Sequence, residues 1–155
     1  KSEYKNTDEA FRIVESLDPE KFEISYLSYR KEPKDWYRVD RFYNRIAPEK
    51  VGEVYASCDI LIKTSIVESF SYPPLEMMAT GGVSVVVPNG GNVEYLKDDY
   101  NCLFYRQGDI DAGVAAVEKL LNDKKLRDKI IKNGQKTAQA YQWSKLEQRI
   151  VDIYK

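Results

Sequence analysis

The sequence predicts an α/β domain organised as a doubly wound parallel sheet, and three observations carry that prediction. Ile60-Leu61-Ile62 is a short β-branched run and Val83-Ser84-Val85-Val86-Val87 a near-continuous apolar one, the pattern of strands covered on both faces. Between them, Tyr72-Pro73-Pro74 leads into a short helical segment that Gly81 can end, because glycine tolerates the left-handed cap a helix terminus often requires. Helical stripes and strand-like runs then alternate along the rest of the chain, as an α/β architecture demands.

In chain order, Thr7 reads as an N-cap with Asp8 and Glu9 in the first turn, and Phe11, Val14 and Leu17 form the stripe of a helix ended by Asp18-Pro19. Phe22 to Leu27 alternates as a strand, the charged segment from Arg30 to Arg38 with Pro33 is an exposed loop, and Val39 to Tyr43 is a short strand. Pro48 opens a helix whose apolar face, Val51, Val54 and Tyr55, runs to Cys58. Each proline disfavours helix at the residue before it, so the next helix is expected to start at Pro74. Pro88-Asn89-Gly90-Gly91 is a turn, followed by a short helix through Val93 and Leu96 and a strand at Cys102-Leu103-Phe104. Asp109 or Asp111 caps a helix carrying Ile110, Val114, Val117 and Leu121, and a second helix spans about Lys124 to Tyr141. Ser144 with Glu147 forms a capping box for a terminal helix with Ile150, Val151 and Tyr154. An alternating fold normally opens on a strand, whereas this chain goes from Lys1-Ser2-Glu3-Tyr4 almost directly into a helix. The expectation is one domain over residues 1–155, lacking its first strand and cut from a larger protein.

Composition narrows the chemistry. A net charge of -1 argues against nucleic acid as a partner, and the 12 tyrosines and two tryptophans are not interleaved with basic residues as single-strand binding requires. The chain has no histidine, which excludes a Ser-His triad, a histidine base and a histidine-ligated metal within it. Cys58 and Cys102 are expected to be buried free thiols in a reducing compartment. No apolar run approaches a membrane span, so the expected location is the cytoplasm or the inner face of a membrane.

Ligands of open parallel sheets sit at the carboxyl ends of the strands, where Glu68-Ser69-Phe70-Ser71-Tyr72-Pro73-Pro74-Leu75-Glu76 falls. Taken alone, Glu76 reads as a first-turn acid favoured by the helix dipole, and Glu68 as a solvated loop acid. The whole stretch resembles the Glu-x7-Glu signature of retaining family 4 glycosyltransferases with the GT-B fold. The likeness continues in order and spacing through Arg41 to Ile46, Tyr55 to Asp59, Met78 to Gly81, Gly90 to Glu94, Asn101 to Phe104, Gly108-Asp109 and Trp143-Ser144, about Lys5 to Tyr154.

This resemblance implies the C-terminal, Rossmann-like, donor-binding half of a GT-B enzyme. It implies transfer of a sugar from a nucleotide-sugar to a glycan or lipid-linked sugar, as in polysaccharide biosynthesis, with no cofactor or metal and with an N-terminal GT-B domain as partner. Glu76 would accept the ribose hydroxyls and Glu68 hydroxyls of the transferred sugar, tasks that suit a charged acceptor. Lys5 matches the lysine that faces the leaving diphosphate; the matching arginine falls at or before Lys1. Asn44, Arg45 and Ile46 match the nucleobase loop. Pro73 and Pro74 each remove an amide from the helix N-terminus, so the diphosphate is expected on the amides of Phe70, Ser71, Tyr72 and Leu75 and the hydroxyls of Ser69 and Ser71, both serines replacing glycines of the family pattern. Asp109-Ile110-Asp111 spells a metal-binding motif of another glycosyltransferase fold, but its place before an amphipathic helix favours capping. The alternatives are a glycosyltransferase-like scaffold without catalysis, or an epimerase- or phosphorylase-like enzyme of the same fold.

Overall fold

A computed structural model of the chain describes residues 3–153. It contains six α-helices and five strands: α1 (Thr7–Ser16), β1 (Ser25–Ser28), β2 (Arg41–Asn44), α2 (Pro48–Ala56), β3 (Ile60–Lys63), α3 (Tyr72–Ala79), β4 (Val83–Val86), β5 (Leu103–Phe104), α4 (Ile110–Asn122), α5 (Lys124–Ala140) and α6 (Trp143–Ile153). Every ladder is parallel: β1 with β2, and β3 with β4 with β5. The expected single sheet is thus in two pieces among the described residues, and β1 and β3 both line a cleft of about 1330 Å³. None of the described helices is long and apolar enough to cross a membrane.

β4 is the centre of the molecule because all four of its residues are buried, as a strand covered on both faces must be. Val83 and Val85 point to a core formed with Ile13, Leu17, Val117, Leu120 and Ile130; Val86 points to a second core with Leu75, Met78, Tyr95, Leu96 and Cys102. Successive side chains of a strand alternate faces, so one short run serves both layers.

α3 begins two residues before the expected Pro74. Ser71 is the extended residue before it, which puts Pro73 and Pro74 at the second and third helical positions. Amides there have no partner inside a helix, so proline removes no helical hydrogen bond. The stop is as expected: Gly81 takes φ +89°, with Gly82 N–H on Met77 O at 3.0 Å and Gly81 N–H on Met78 O at 3.3 Å, a Schellman ending.

Other details differ from the sequence reading. Asn6, not Thr7, precedes α1, in the left-handed region at φ 49° and with no side-chain cap. β1 and β2 lie a few residues later than expected, because Asp40 takes the Ile24 amide on its carboxylate (2.7 Å) and ladder pairing begins at Ser25 and Arg41. The charged loop is exposed along much of its length, but Tyr37 stacks on Phe11 with ring centroids 3.7 Å apart. The segment through Val93 and Leu96 forms only turns, closed by Asn92 and Asn101 side chains bonded to backbone. Asp109 caps α4 through the Ala112 amide (3.0 Å) and Asp123 caps α5 through Leu126 (2.8 Å). Ser144 lies inside the first turn of α6 rather than before it, and Tyr154 is outside the described residues. Both cysteines are free; Cys102 is buried, Cys58 only partly so.

Candidate active site

Strand β3 sets the site. Its apolar residues Ile60 to Ile62 are half-buried along the cleft rather than covered on both faces as expected, and the next residue, Lys63, brings an ammonium group to the carboxyl end of the sheet. Thr64 then turns the chain by donating its hydroxyl to the carbonyls of Lys5 (3.1 Å) and Asn6 (2.8 Å), while Ile66 N–H bonds Tyr4 O at 2.8 Å. These bonds fasten the start of the described chain to the end of β3 and so bring Lys5 and Glu68, 63 residues apart, together.

Lys5 Nζ donates to both oxygens of Glu68, at 2.8 and 2.9 Å, and Lys63 Nζ donates to Oε1 at 2.7 Å. Lys63 also bonds the Ser65 hydroxyl. Burial pushes the Glu68 carboxyl up, but hydrogen bonds from Lys5, Lys63 and Ser65 outweigh it and hold the group at about 2. Burial pushes Lys63 down, against the pull of Glu68. Glu68 therefore carries a fixed negative charge between two positive ones.

The backbone around Glu68 is braced from the next loop. Asn89 donates its side-chain amide to Ser65 O (2.8 Å) and accepts from Gly91 N–H (3.0 Å), and the fully buried Asn92 ties the turn to Val87 O. Ser71 N–H donates to Gly91 O at 3.0 Å, so that amide is already engaged. The Ser71 hydroxyl, at the residue that precedes α3, is buried and has no hydrogen-bond partner among the described residues.

Glu76 stands one turn into α3, solvent-exposed on one side and lining the cleft that Lys5 and Lys63 also line. Burial of its other side raises its pKa, and the Tyr55 hydroxyl opposes that rise by hydrogen bonding to it. Tyr55 is raised above the ordinary tyrosine range, first by burial and then by the Glu76 charge.

The remaining predicted residues divide into three groups. Tyr72 is 64% exposed and lines the cleft, and Ser69 is exposed beside Glu68. Phe70 and Leu75 turn their side chains inward: Phe70 packs against Tyr72, Tyr95 and Tyr141, and Leu75 is core. Asn44, Arg45 and the half-buried Ile46 lie at the carboxyl end of β2, where Asn44 donates to Glu32 (2.9 Å) and Arg45, at φ 49°, donates to Tyr29 O (3.2 Å). Tyr29 lines the same cleft as Tyr55 and Glu76, so this loop borders the wall that carries Glu76. The arginine expected at or before Lys1 lies outside the described residues.

Lys63 and the Asn89 brace were missed from sequence. The signal for Lys63 was an ammonium residue directly ending an apolar strand, five positions before Glu68.

Comparison with known proteins bears on the family and the fold. The family model for Glycosyl transferases group 1 matches residues 19–137. An uncharacterised glycosyltransferase of Methanocaldococcus jannaschii is 28% identical over 115 residues, 74% of this chain and 30% of that protein. An N,N'-diacetylbacillosaminyl-diphospho-undecaprenol alpha-1,3-N-acetylgalactosaminyltransferase of Campylobacter jejuni is 30% identical over 108 residues, 70% of this chain and 29% of its own. Among solved structures, Anabaena HepE in complex with UDP-glucose superimposes with TM-score 0.85 at 19% identity, covering 99% of this chain and 46% of that one. The C-terminal domain of the Francisella tularensis group 1 glycosyltransferase LpcC gives TM-score 0.65 at 18% identity, covering 91% and 81%. The chain thus spans about a third of the curated relatives it matches, and its fold is the Rossmann-like C-terminal half of the GT-B architecture. By its family model, and in keeping with its fold, this chain belongs to the group 1 glycosyltransferases.

Proposed function

We propose that the chain is the donor-binding half of a retaining, metal-independent glycosyltransferase. The observation that carries the proposal is the Lys5–Glu68–Lys63 ion cluster at the carboxyl end of β3, whose two lysines line the same cleft as Glu76. In this reading Glu76 accepts the ribose hydroxyls, Glu68 accepts hydroxyls of the transferred sugar, and Lys5 faces the diphosphate. Cationic charge placed where negative charge grows on the leaving group favours the transition state over the bound donor. The lysines supply that charge without a metal. Retention follows from a front-face displacement in which the departing phosphate takes the acceptor's proton, since a nucleophile is not required of the chain.

The cradle departs from a plain helix N-terminus. Pro73 and Pro74 have no amide to offer, the Ser71 amide is held by Gly91 and the Leu75 amide closes the first turn of α3 on Ser71 O, so of the expected groups the Phe70 and Tyr72 amides and the exposed Ser69 hydroxyl carry the contact. HepE is named in complex with UDP-glucose, which makes UDP the first base to try, and the Campylobacter relative is named for a diphospho-undecaprenol-linked acceptor, which makes a lipid-linked sugar the first acceptor. Acceptor contacts fall to an N-terminal domain, and membrane association, where it occurs, is through that domain.

Calorimetry of the chain against UDP, GDP, dTDP and UDP-glucose tests the reading. Saturable binding that Glu76→Ala weakens at least tenfold supports it. A folded chain that binds none of the panel overturns it in favour of a scaffold.

A further inference from the structure

Glu68 is held by two ammonium groups of different character. Lys5 sits on a three-residue 3-10 turn, Glu3–Lys5; its side chain is 40% exposed and it grips both carboxylate oxygens. Lys63 is the last residue of β3, in register with the buried Val86; its side chain is 14% exposed and it bonds Oε1 alone, with the Ser65 hydroxyl as its other partner. Ser65 is in turn 1% exposed and pinned through its carbonyl by Asn89. One lysine can swing through water, and the other is built into the sheet.

We propose that Lys63 is the positioning residue that keeps Glu68 charged and in place when Lys5 leaves it for a diphosphate, a step that rests on the donor-binding reading above. Two cations on one carboxylate leave a surplus positive charge at the cleft, and an arriving diphosphate recruits the cation whose movement desolvates least, which is Lys5. Lys5 donates to Oε2, whereas the bond from Lys63 is to Oε1. Departure of Lys5 therefore frees Oε2 to accept a hydroxyl while Oε1 stays on Lys63. Without Lys63 the vacated carboxylate would have lost both of its cations. Burial would then drive Glu68 to take a proton, and a protonated acid has lost one of its acceptor oxygens.

The test is NMR of the whole chain, following the lysine side chains and the Glu68 carboxyl. Titration of the unmutated chain with inorganic pyrophosphate and with UDP is expected to shift the Lys5 ammonium signal and leave that of Lys63 in place. In Lys63→Gln, Glu68 is expected to titrate below the ordinary carboxylate range in the free chain and at or above that range once UDP is bound. Lys63→Arg should restore the low value in the complex, a rescue that a purely structural role would not produce. Lys5→Gln should lose tenfold or more in UDP affinity while Glu68 stays low with and without UDP. Movement of Lys63 rather than Lys5, or a Glu68 that stays low in UDP-bound Lys63→Gln, overturns this division of roles and leaves donor binding intact. Failure of the unmutated chain to bind pyrophosphate or any nucleotide overturns the donor-binding reading and the division with it.

Discussion

Gly91 lies so close to Glu68 that a Cβ built on it would stand 2.1 Å from the Glu68 carbonyl oxygen and 2.9 Å from the Glu68 Cβ. The glycine is required by close approach, not by its backbone angles, and it is also the residue whose carbonyl receives the Ser71 amide. One position therefore fixes both the Glu68 side-chain origin and the entry to α3.

Gly91→Ala is predicted to displace the 65–71 loop. Backbone cannot yield as a flexible side chain does, so the substitution is expected to destabilise by about 1–3 kcal/mol. Nucleotide affinity should fall by more than the stability loss alone explains, because the Lys5–Glu68 geometry is broken. Gly90→Ala is the control, since nothing lies within 4 Å of a Cβ there. Equal behaviour of the two variants in urea unfolding and in calorimetry would defeat the argument.

Acid stability should report Glu68. Its folded carboxyl titrates at about 2 against an ordinary value of 4.5. A depressed carboxyl contributes stability that is present above the ordinary value and is lost as pH falls through the folded one. Urea unfolding of the unmutated chain is expected to lose on the order of 3 kcal/mol across that window, an upper figure given the partial exposure of Lys5. Glu68→Gln should be less stable near neutrality, where it leaves Lys63 uncompensated, and should flatten the dependence across that window.

Glu76 should behave in the opposite sense. Its carboxyl is raised, chiefly by burial, so the folded chain holds its proton more tightly than the unfolded chain does. Stability from this residue is present at low pH and is lost as pH rises past the ordinary carboxylate value. Glu76→Gln is therefore predicted to stabilise the chain at pH 7 and to weaken UDP binding about tenfold or more, through loss of a charged acceptor. A variant that loses both stability and affinity would mean that Tyr55 needs the charge, contrary to this reading.

The β3–α3–β4 unit was legible because its physics is local. Apolar strands, a proline entry and a glycine stop each act within a few residues, and so does the Asp109 cap. The cluster at Glu68 was only half legible. Glu68 and Lys5 were reached through the likeness to a family motif, whereas Lys63 looked like any strand-end lysine until the fold put it 2.7 Å from Glu68. Asn6 was overlooked as the residue before α1 because a left-handed backbone at asparagine leaves no sequence pattern as strong as Thr7-Asp8-Glu9 does. The Ser71 amide was expected on a ligand, and its bond to Gly91 depends on a loop twenty residues away that no local rule addresses.

Pro73 offers a trade between stability and binding. It occupies the second position of α3, where an ordinary residue would present an amide toward an anion at the helix N-terminus. Pro73→Ala restores that amide and keeps every helical hydrogen bond, since none is made there. It also loosens the unfolded chain, and so should lower stability by about 0.4–1 kcal/mol. Affinity for UDP and for pyrophosphate is expected to rise severalfold, while affinity for uridine, which carries no phosphate, stays unchanged. Calorimetry with the three ligands separates the outcomes: an equal gain for uridine, or no gain for pyrophosphate, would place the diphosphate away from the N-terminus of α3.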